Sequence, residues 1–485
     1  MAELQVENQA GLAAGAEGPV RSGPAWAEVA LLTLLASSAF LVRLWPLWQV
    51  HFWDETVYLQ NAEVICCGRT NYSELNSRPP LLSLLFAGVY LLWHHVYAAS
   101  LVTALLNALG PLLLYWAGKK LYGRTAGAIA GCLLAFSPFF VKWGNSLLTD
   151  QPAVTLMLLS FCLVLKGAPA SRPALAALAG CVCALSGLMR FPSLILAAVL
   201  PLFFLAPVRR IGNVLWFALG VLAGFAPYLL WSRMRFGAFF ATLRLGMINV
   251  GGSVEPRLYY FQKFGEIFPW LTLAGVVLWF AAWVLDRRQR HTAPAWAWEA
   301  ILWWWILLVM AYYSSIPHKE LRYIMPLATP VLLLAGRGLG VLLRGRAWYT
   351  RAVGGCLLAT WMAYSFAPTL QRFQSPFWEP FVSEEKEVAD DLKSNATRPA
   401  LLYANHNSPV FAYYSELPTQ VVLEQDMAFY QVFPRNMPAD GYLIVYKQTA
   451  LHPRPVWADV NPHFRLWREY PSLFVYEYRK TEAAQ

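Results

Sequence analysis

Charge is what this chain has little of. Charged residues make up 14% of its 485 residues, and acidic ones number 28. A soluble domain carries about 25% charged side chains, so with 58% of the chain hydrophobic an ordinary soluble globular fold is excluded. Cysteine is sparse too: there are 7, none of them after Cys356, which excludes a disulfide framework in the C-terminal part. Cys66 and Cys67 are vicinal and the other five lie in or beside apolar runs, so cysteine says little about compartment. The N-terminus lacks the basic stretch of a signal peptide. Glu3 and Glu7 stand there instead, and residues 1–26, rich in Ala, Gly and Glu, read as a disordered cytoplasmic tail. The formal charge of +10 is scattered between apolar runs and forms no continuous basic patch, which argues against a nucleic-acid partner. Internal repeats of the transporter kind are not evident.

Long apolar runs are what the chain has in quantity. They fall at residues 26–48, 99–117, 125–140, 152–168, 174–189, 193–207, 212–231, 268–285, 296–314, 323–343 and 352–368. This predicts an all-α polytopic membrane protein with about eleven transmembrane helices. The shorter run at 81–93, ending in His94-His95, reads as an interfacial or re-entrant helix inside a first outer loop at 49–98. With that reading, Lys119-Lys120…Arg124, Lys166…Arg172, Arg209-Arg210, Arg287-Arg288…Arg290 and Arg344…Arg346…Arg351 all fall on one side. The positive-inside rule makes that side cytoplasmic. Residues 27–368 then form the membrane domain, with further outer loops at 141–151, 232–267 and 315–322 and an outer turn at Arg190. Residues 369–485 form a small outer α/β domain: Glu384-Glu385-Lys386-Glu387 opens an amphipathic helix, and β-rich runs follow at 400–404, 420–423, 442–446 and 474–478.

The scarce ionisable residues gather on the outer side. His51-Phe52-Trp53-Asp54-Glu55 follows the first span, with Glu63 and Arg78 further along the same loop. Asp150 lies in the second outer loop, Arg190 at a turn, and Pro317-His318-Lys319-Glu320-Leu321-Arg322-Tyr323 before the tenth span. A carboxylate near hydrocarbon costs free energy unless paired or solvated, and basic residues in short outer loops oppose the topogenic trend. The chemistry that fits is a basic clamp on a phosphate, facing carboxylates that handle protons. Blander roles exist for each group. Asp54 can be a solvated helix end, Glu55 and Glu63 can cap or orient a helix, and Asp150 can cap the span that starts at Pro152. Arg190 can snorkel to the interface, and the run from His318 to Arg322 can be a salt-bridged turn.

Four elements in order carry a resemblance. Asp54-Glu55, followed by Ala62-Glu63-Val64-Ile65 and Gly68, resembles the Asp-Glu first loop of protein O-mannosyltransferases and of the lipid A aminoarabinose transferase group. Arg78-Pro79-Pro80-Leu81 resembles the Lys/His-Pro-Pro-Leu that follows that loop, and Thr149-Asp150 resembles its second-loop acidic position. His318-Lys319-Glu320-Leu321-Arg322-Tyr323 is similar to the His-Lys-Glu-x-Arg-Phe of dolichyl-phosphate-mannose mannosyltransferases acting on glycolipids. Over residues 27 to 368 the chain thus resembles the GT-C glycosyltransferases, integral membrane enzymes that use polyprenyl-phosphate sugars. Arg78 stands where those families carry Lys or His, and features of two subgroups occur together, so the acceptor stays open between protein, lipid and glycan.

The resemblance implies inverting transfer of a sugar, a mannose-like hexose, from a polyprenyl- or dolichyl-phosphate donor to a hydroxyl acceptor. The site would face the extracytoplasmic side of a bacterial inner membrane or the lumen of the endoplasmic reticulum. Asp54 would be the base. Glu55, Glu63, Arg78, Asp150, Arg190, His318, Lys319, Glu320 and Arg322 would contact substrate, with Lys319, Arg322 and His318 on the leaving phosphate. If a divalent metal ion takes part, Asp54 and Asp150 would hold it. The rival class is a multi-pass transporter of a lipid-linked or anionic substrate. The topology has its own test. A cysteine introduced after residue 369 should react with impermeant reagent from outside, and one beside Lys119-Lys120 only after the membrane is opened.

Overall fold

The computed structural model describes residues 25–44, 51, 53–206, 209–248, 254–286, 293–344, 347–374, 380–397, 399–404, 406–422, 437–447 and 463–480. The expected tail up to residue 24, the Arg287-Arg288…Arg290 cluster and Arg346 lie outside them. Most described residues are helical. Five helices are long and apolar enough to cross a membrane: Trp26–Leu44, Val96–Tyr122, Asp150–Gly167, Ile211–Phe236 and Leu321–Arg344. The pair Arg124–Phe136 and Pro138–Gly144, bent by 57°, makes up to six. Other expected crossings correspond to shorter apolar helices, among them Pro173–Met189 and Trp270–Ala281. Leu81–Tyr90 has ten residues, about half of what a bilayer crossing needs.

The bend has a chemical cause. Pro138 has no N–H to give to the carbonyl of Leu134, so the helix breaks there. Buried Arg43 from the first helix fills the gap, its Nη2 donating to Leu134 O at 3.1 Å and its Nη1 to Ala135 O at 3.1 Å. The turned segment Pro138–Gly144 leads into Asp150–Gly167, which therefore starts at the same end of the bundle as Leu321–Arg344 does. Asp150 and Arg322 sit at the starts of these helices, and Lys166 and Arg344 at their far ends. Arg344 donates to Tyr122 O at 2.6 Å, and Glu28 pairs there with Lys119 and, at 2.9 Å, with Arg124. The basic residues taken as cytoplasmic are thus separated from Asp150 and Arg322 by roughly 30 Å of helix.

Helices approach closely where glycine removes the side chain. A Cβ on Gly338 would lie 1.9 Å from Gly275 O, one on Gly220 2.0 Å from Ala177 O, and one on Gly127 2.4 Å from Tyr115 O. These contacts join Ala328–Arg344 to Trp270–Asp286, Ile211–Phe236 to Pro173–Met189, and Arg124–Phe136 to Val96–Tyr122.

The C-terminal domain is a five-stranded sheet, β1 Leu401–Ala404, β2 Thr419–Val421, β3 Gly441–Tyr446, β4 Phe464–Glu469 and β5 Leu473–Tyr478, in the order β2-β1-β3-β5-β4. β1 pairs parallel with β2 and β3, whereas β5 runs antiparallel to β3 and β4. β4 is a strand that the sequence reading passed over: its burial pattern is mostly exposed, so it lacks the apolar alternation that marks the others. The expected boundary at 369 falls inside the helix Trp348–Gln374, and the first described helix of the domain is Pro380–Asn395. The domain docks on the helix Trp53–Cys67 and the loop after it. Gln60 Nε2 donates to Pro409 O at 2.8 Å, the His51 N–H to the Tyr414 hydroxyl at 3.0 Å, and the Thr419 N–H to Asn71 O at 3.0 Å. Cys66 and Cys67 are disulfide-bonded to each other at the end of that helix.

The glycine contacts give a stability test. Gly338→Leu should lower the thermal midpoint of the purified protein, since overpacking costs about 1–3 kcal/mol. Gly355→Ala, where a Cβ meets no atom within 4 Å, should not.

Candidate active site

Asp54 lies in the first turn of Trp53–Cys67, where the helix dipole favours an anion. Two arginines divide its carboxylate. Arg78 Nη1 lies 3.0 Å from Oδ1, and Arg322 Nη2 lies 2.6 Å from Oδ2. Each arginine is tethered at Nε by a carboxylate near it in sequence: Arg78 to Glu74 at 2.6 Å, and Arg322 to Glu320 at 2.5 Å. Local backbone geometry explains the Glu74 tether and the further contacts of Glu320. The N–H groups of Ser77 and Arg78 donate to Glu74 O at 3.0 and 2.9 Å, closing a turn that Pro79-Pro80 cannot continue. Residues Leu321–Leu327 form a 3₁₀ helix, which places residue 323 over residue 320. The Tyr323 hydroxyl accordingly donates to Glu320 Oε1 at 3.1 Å, and His318 Nε2 lies 3.3 Å from the same oxygen.

A second ion pair lies beside the first. Asp150 Oδ1 is 2.8 Å from Arg190 Nη1, and its Oδ2 is 3.8 Å from Arg322 Nη1. Asp150 is the first residue of its helix and not its cap, which is Thr149. Arg190 caps the C-terminus of Pro173–Met189. Its guanidinium stacks on Tyr323 at 4.9 Å, turned inward and away from a snorkelling position, while that of Arg322 lies over Trp143 at 5.3 Å.

These groups line a cavity of about 1550 Å³. Part of its wall is apolar, with Phe191, Leu194, Ile195, Leu243 and Ile316; another part carries Trp53, Tyr72, Ser73 and Asn76, with His406 and Val421 from the C-terminal domain. Burial alone would push the Asp54 carboxyl up. The guanidiniums of Arg322 and Arg78 outweigh it and hold the group down at about 2. Glu320 is likewise held low, Arg322 outweighing the burial that would raise it.

The sequence candidates divide into two sets. Asp54, Arg78, Asp150, Arg190, His318, Glu320 and Arg322 meet in the cavity. Glu55, Glu63 and Lys319 do not line it. Glu55 turns to the other face of its helix, accepts from the Leu147 N–H at 2.7 Å and lies 3.7 Å from His51 Nδ1. Glu63 faces Arg69 at 3.5 Å and His94 at 3.6 Å. Lys319 is buried with its Nζ donating to Glu255 O at 2.9 Å and Pro317 O at 3.3 Å. As to a metal ion, Asp54 and Asp150 both turn to Arg322, so a cation between them would face a guanidinium. That donor set does not fit a resident divalent ion, and among the described residues no cluster of three or more His, Cys, Asp or Glu side chains is arranged for one. Sequence reasoning missed Glu74, Trp143, Tyr313 and His406. Only Glu74 carried a signal, its i, i+4 spacing to Arg78.

Comparisons place the architecture. A family model described as dolichyl-phosphate-mannose-protein mannosyltransferase matches residues 77–231, the stretch that holds Arg78, Asp150 and Arg190. ArnT from Cupriavidus metallidurans, in a structure bound to undecaprenyl phosphate, is similar with a TM-score of 0.67 at 16% identity, over 94% of this chain and 98% of its own. The chain has the GT-C fold. The oligosaccharyltransferase of Archaeoglobus fulgidus, tethered with an acceptor peptide, is similar at TM-score 0.65 and 12% identity, over 87% of this chain and 69% of its own. The arabinofuranosyltransferase AftD from Mycobacteria gives 0.60 and 14%, over 92% of this chain and 40% of its own. No curated protein matches by sequence. Within this GT-C fold the cavity lies at one end of the bundle, with His406 and Val421 of the C-terminal domain in its wall.

Glu55 therefore ties the helix Trp53–Cys67 to the loop that delivers Asp150. Glu55→Ala should leave the buried Leu147 N–H without its partner, at a cost of about 1–3 kcal/mol in stability. Glu55→Gln keeps an acceptor oxygen and should be mild. Thermal unfolding of the two variants checks this.

Proposed function

We propose that the chain is an inverting glycosyltransferase that takes a sugar from a polyprenyl-phosphate donor to a hydroxyl acceptor on the extracytoplasmic face of the membrane. The observation that carries the reading is a half-buried carboxylate, Asp54, set between two arginines in the wall of a large, partly apolar cavity in a GT-C fold. The ArnT structure similar to this chain is bound to undecaprenyl phosphate, and a structure of the archaeal enzyme contains dolichol phosphate. A lipid of that class suits a wall of Phe191, Leu194, Ile195 and Leu243 for its isoprenoid units. Its phosphate suits Arg78 and Arg322, because guanidinium forks neutralise phosphate oxygens by paired hydrogen bonds.

Asp54 then takes the proton of the acceptor hydroxyl while its oxygen attacks the anomeric carbon. The bond from that carbon to the phosphate oxygen breaks on the opposite face, and the electron pair leaves with the lipid phosphate. One displacement inverts the anomeric centre, by the stereochemistry that separates inverting from retaining glycoside hydrolysis. The arginines stabilise the charge that grows on the departing phosphate. The mannosyltransferase family match favours mannose as the sugar. A shared fold with glycosyltransferases supports this reading over a transporter.

Purified protein incubated with polyprenyl-phosphate mannose and a hydroxyl acceptor should release polyprenyl phosphate; no release with any polyprenyl-phosphate sugar would refute the reading. Asp54→Asn should lower turnover by about 10²–10⁴, the usual worth of a general base. Arg322→Lys keeps the charge and loses the fork, and should weaken donor use roughly tenfold to a hundredfold. Lys319→Ala, whose ammonium is turned from the cavity, should cost donor use less than Arg322→Lys does.

A further inference from the structure

The two arginines on Asp54 are built alike. Each is held at Nε by a carboxylate two or four residues away, Glu320 for Arg322 and Glu74 for Arg78, and each gives a terminal nitrogen to one oxygen of Asp54. The tethers keep both guanidiniums in place without Asp54, and Asp54 presents to them two anionic oxygens, as a phosphate does. We infer that Asp54 and the donor's phosphate compete for one position between Arg78 and Arg322, and that the phosphate displaces Asp54 from them and so turns a salt-bridge partner into a base. This rests on the polyprenyl-phosphate reading above. Glu74 and Glu320 are then positioning residues, acting on substrate through the arginines.

Charge supports the exchange. Four carboxylates, of Asp54, Glu74, Asp150 and Glu320, and three guanidiniums, of Arg78, Arg190 and Arg322, line the cavity. A phosphodiester entering that set adds an anion and draws the arginines from Asp54. Its carboxyl, held at about 2 by those arginines, then rises towards the range of a working base. The groups facing it are Arg78, Arg322 and Arg190 as cations, Glu74, Glu320 and Asp150 as anions, and Tyr58 on its own helix. In the step itself the acceptor O–H gives its proton to Asp54, the oxygen–carbon bond forms, and the carbon–phosphate-oxygen bond breaks with its electrons going to phosphate. When lipid phosphate departs, Asp54 yields the proton to water and re-forms both ion pairs.

Binding of undecaprenyl phosphate to the purified full-length protein, with undecaprenol as the phosphate-free control, separates the possibilities. The expected result is that wild type prefers the phosphate lipid and that Asp54→Asn binds it at least tenfold more tightly, since the competitor is gone. Unchanged or weaker binding by Asp54→Asn would overturn the exchange and leave the transferase reading standing. Equal binding of undecaprenyl phosphate and undecaprenol by wild type would remove both. Glu74→Gln should lose about tenfold in phosphate-lipid affinity and Glu74→Asp should recover part of it; unaltered affinity in Glu74→Gln would take Glu74 out of the clamp. Should Asp54→Asn not fold, wild-type pH profiles decide instead. The acid limb of kcat, which reports the donor complex, should lie at least one pH unit above that of kcat/KM for the donor, which reports the free enzyme. Coincident limbs would overturn the proposal.

Discussion

A carboxylate cannot be buried at the edge of hydrocarbon without a partner, and the arrangement around Asp54 follows from that constraint. Two arginines neutralise it, two further carboxylates neutralise and aim the arginines, and Asp150 with Arg190 closes the set. The participants come from distant parts of the chain: the first turn of Trp53–Cys67, the turn before Pro79, the start of Asp150–Gly167, the end of Pro173–Met189 and the 3₁₀ segment Leu321–Leu327. Long-range ion pairs of this kind contribute little net stability when they replace apolar packing, yet removing one member leaves the others uncompensated. The cluster therefore fixes the register of these segments more than it adds to stability.

The scaffold around the cluster is built for close approach. Glycines at three helix crossings bring backbones into contact, and Arg43 repairs the carbonyls freed at the Pro138 break, so the bent helix holds its angle as a rigid part. That angle decides where the loop before Asp150 comes down. Glu55 fixes the same loop from the other side by accepting from Leu147 N–H. Adjacent acidic residues thus have divided roles: helical geometry separates successive side chains by about 100°, so Asp54 faces the cavity and Glu55 faces the scaffold.

Much of this was legible in the sequence, for physical reasons. Ionisable residues are expensive in an apolar chain, so Asp54, Arg78, Asp150, Arg190 and Arg322 stood out without any structure, and all five meet. The direction of a side chain was not legible. Glu63 and Lys319 have the same chemistry as their neighbours, but their helix phase and loop conformation turn them to Arg69 and His94, and to the carbonyls of Glu255 and Pro317. Aromatic members such as Trp143 and Tyr313 were hidden among the 22 Trp and 23 Tyr of a membrane protein. His406 was hidden for another reason: it follows β1 of the C-terminal domain, and no local pattern tells that this strand ends beside the cavity. The edge strand β4 escaped because its exposed residues dilute the apolar alternation.

The position of the cluster at one end of the bundle also bears on what such a fold can do. A site at the bilayer midplane would have to desolvate both the phosphate and the acceptor. At the membrane edge the isoprenoid portion of a donor can stay among apolar side chains while its charged head meets arginines already held in place. On the proposed reading the ordering cost of a phosphate clamp is met during folding, by Glu74 and Glu320, and is not charged to substrate binding. On that reading, what limits the site is release of Asp54 from its own partners. A carboxylate with both oxygens engaged by guanidinium is a weak base, and a deeper, drier cavity would strengthen those pairs faster than it would improve the base. Partial exposure, as the Asp54 side chain has at 14%, is where an anion can displace a carboxylate from arginine and the carboxylate can still accept a proton.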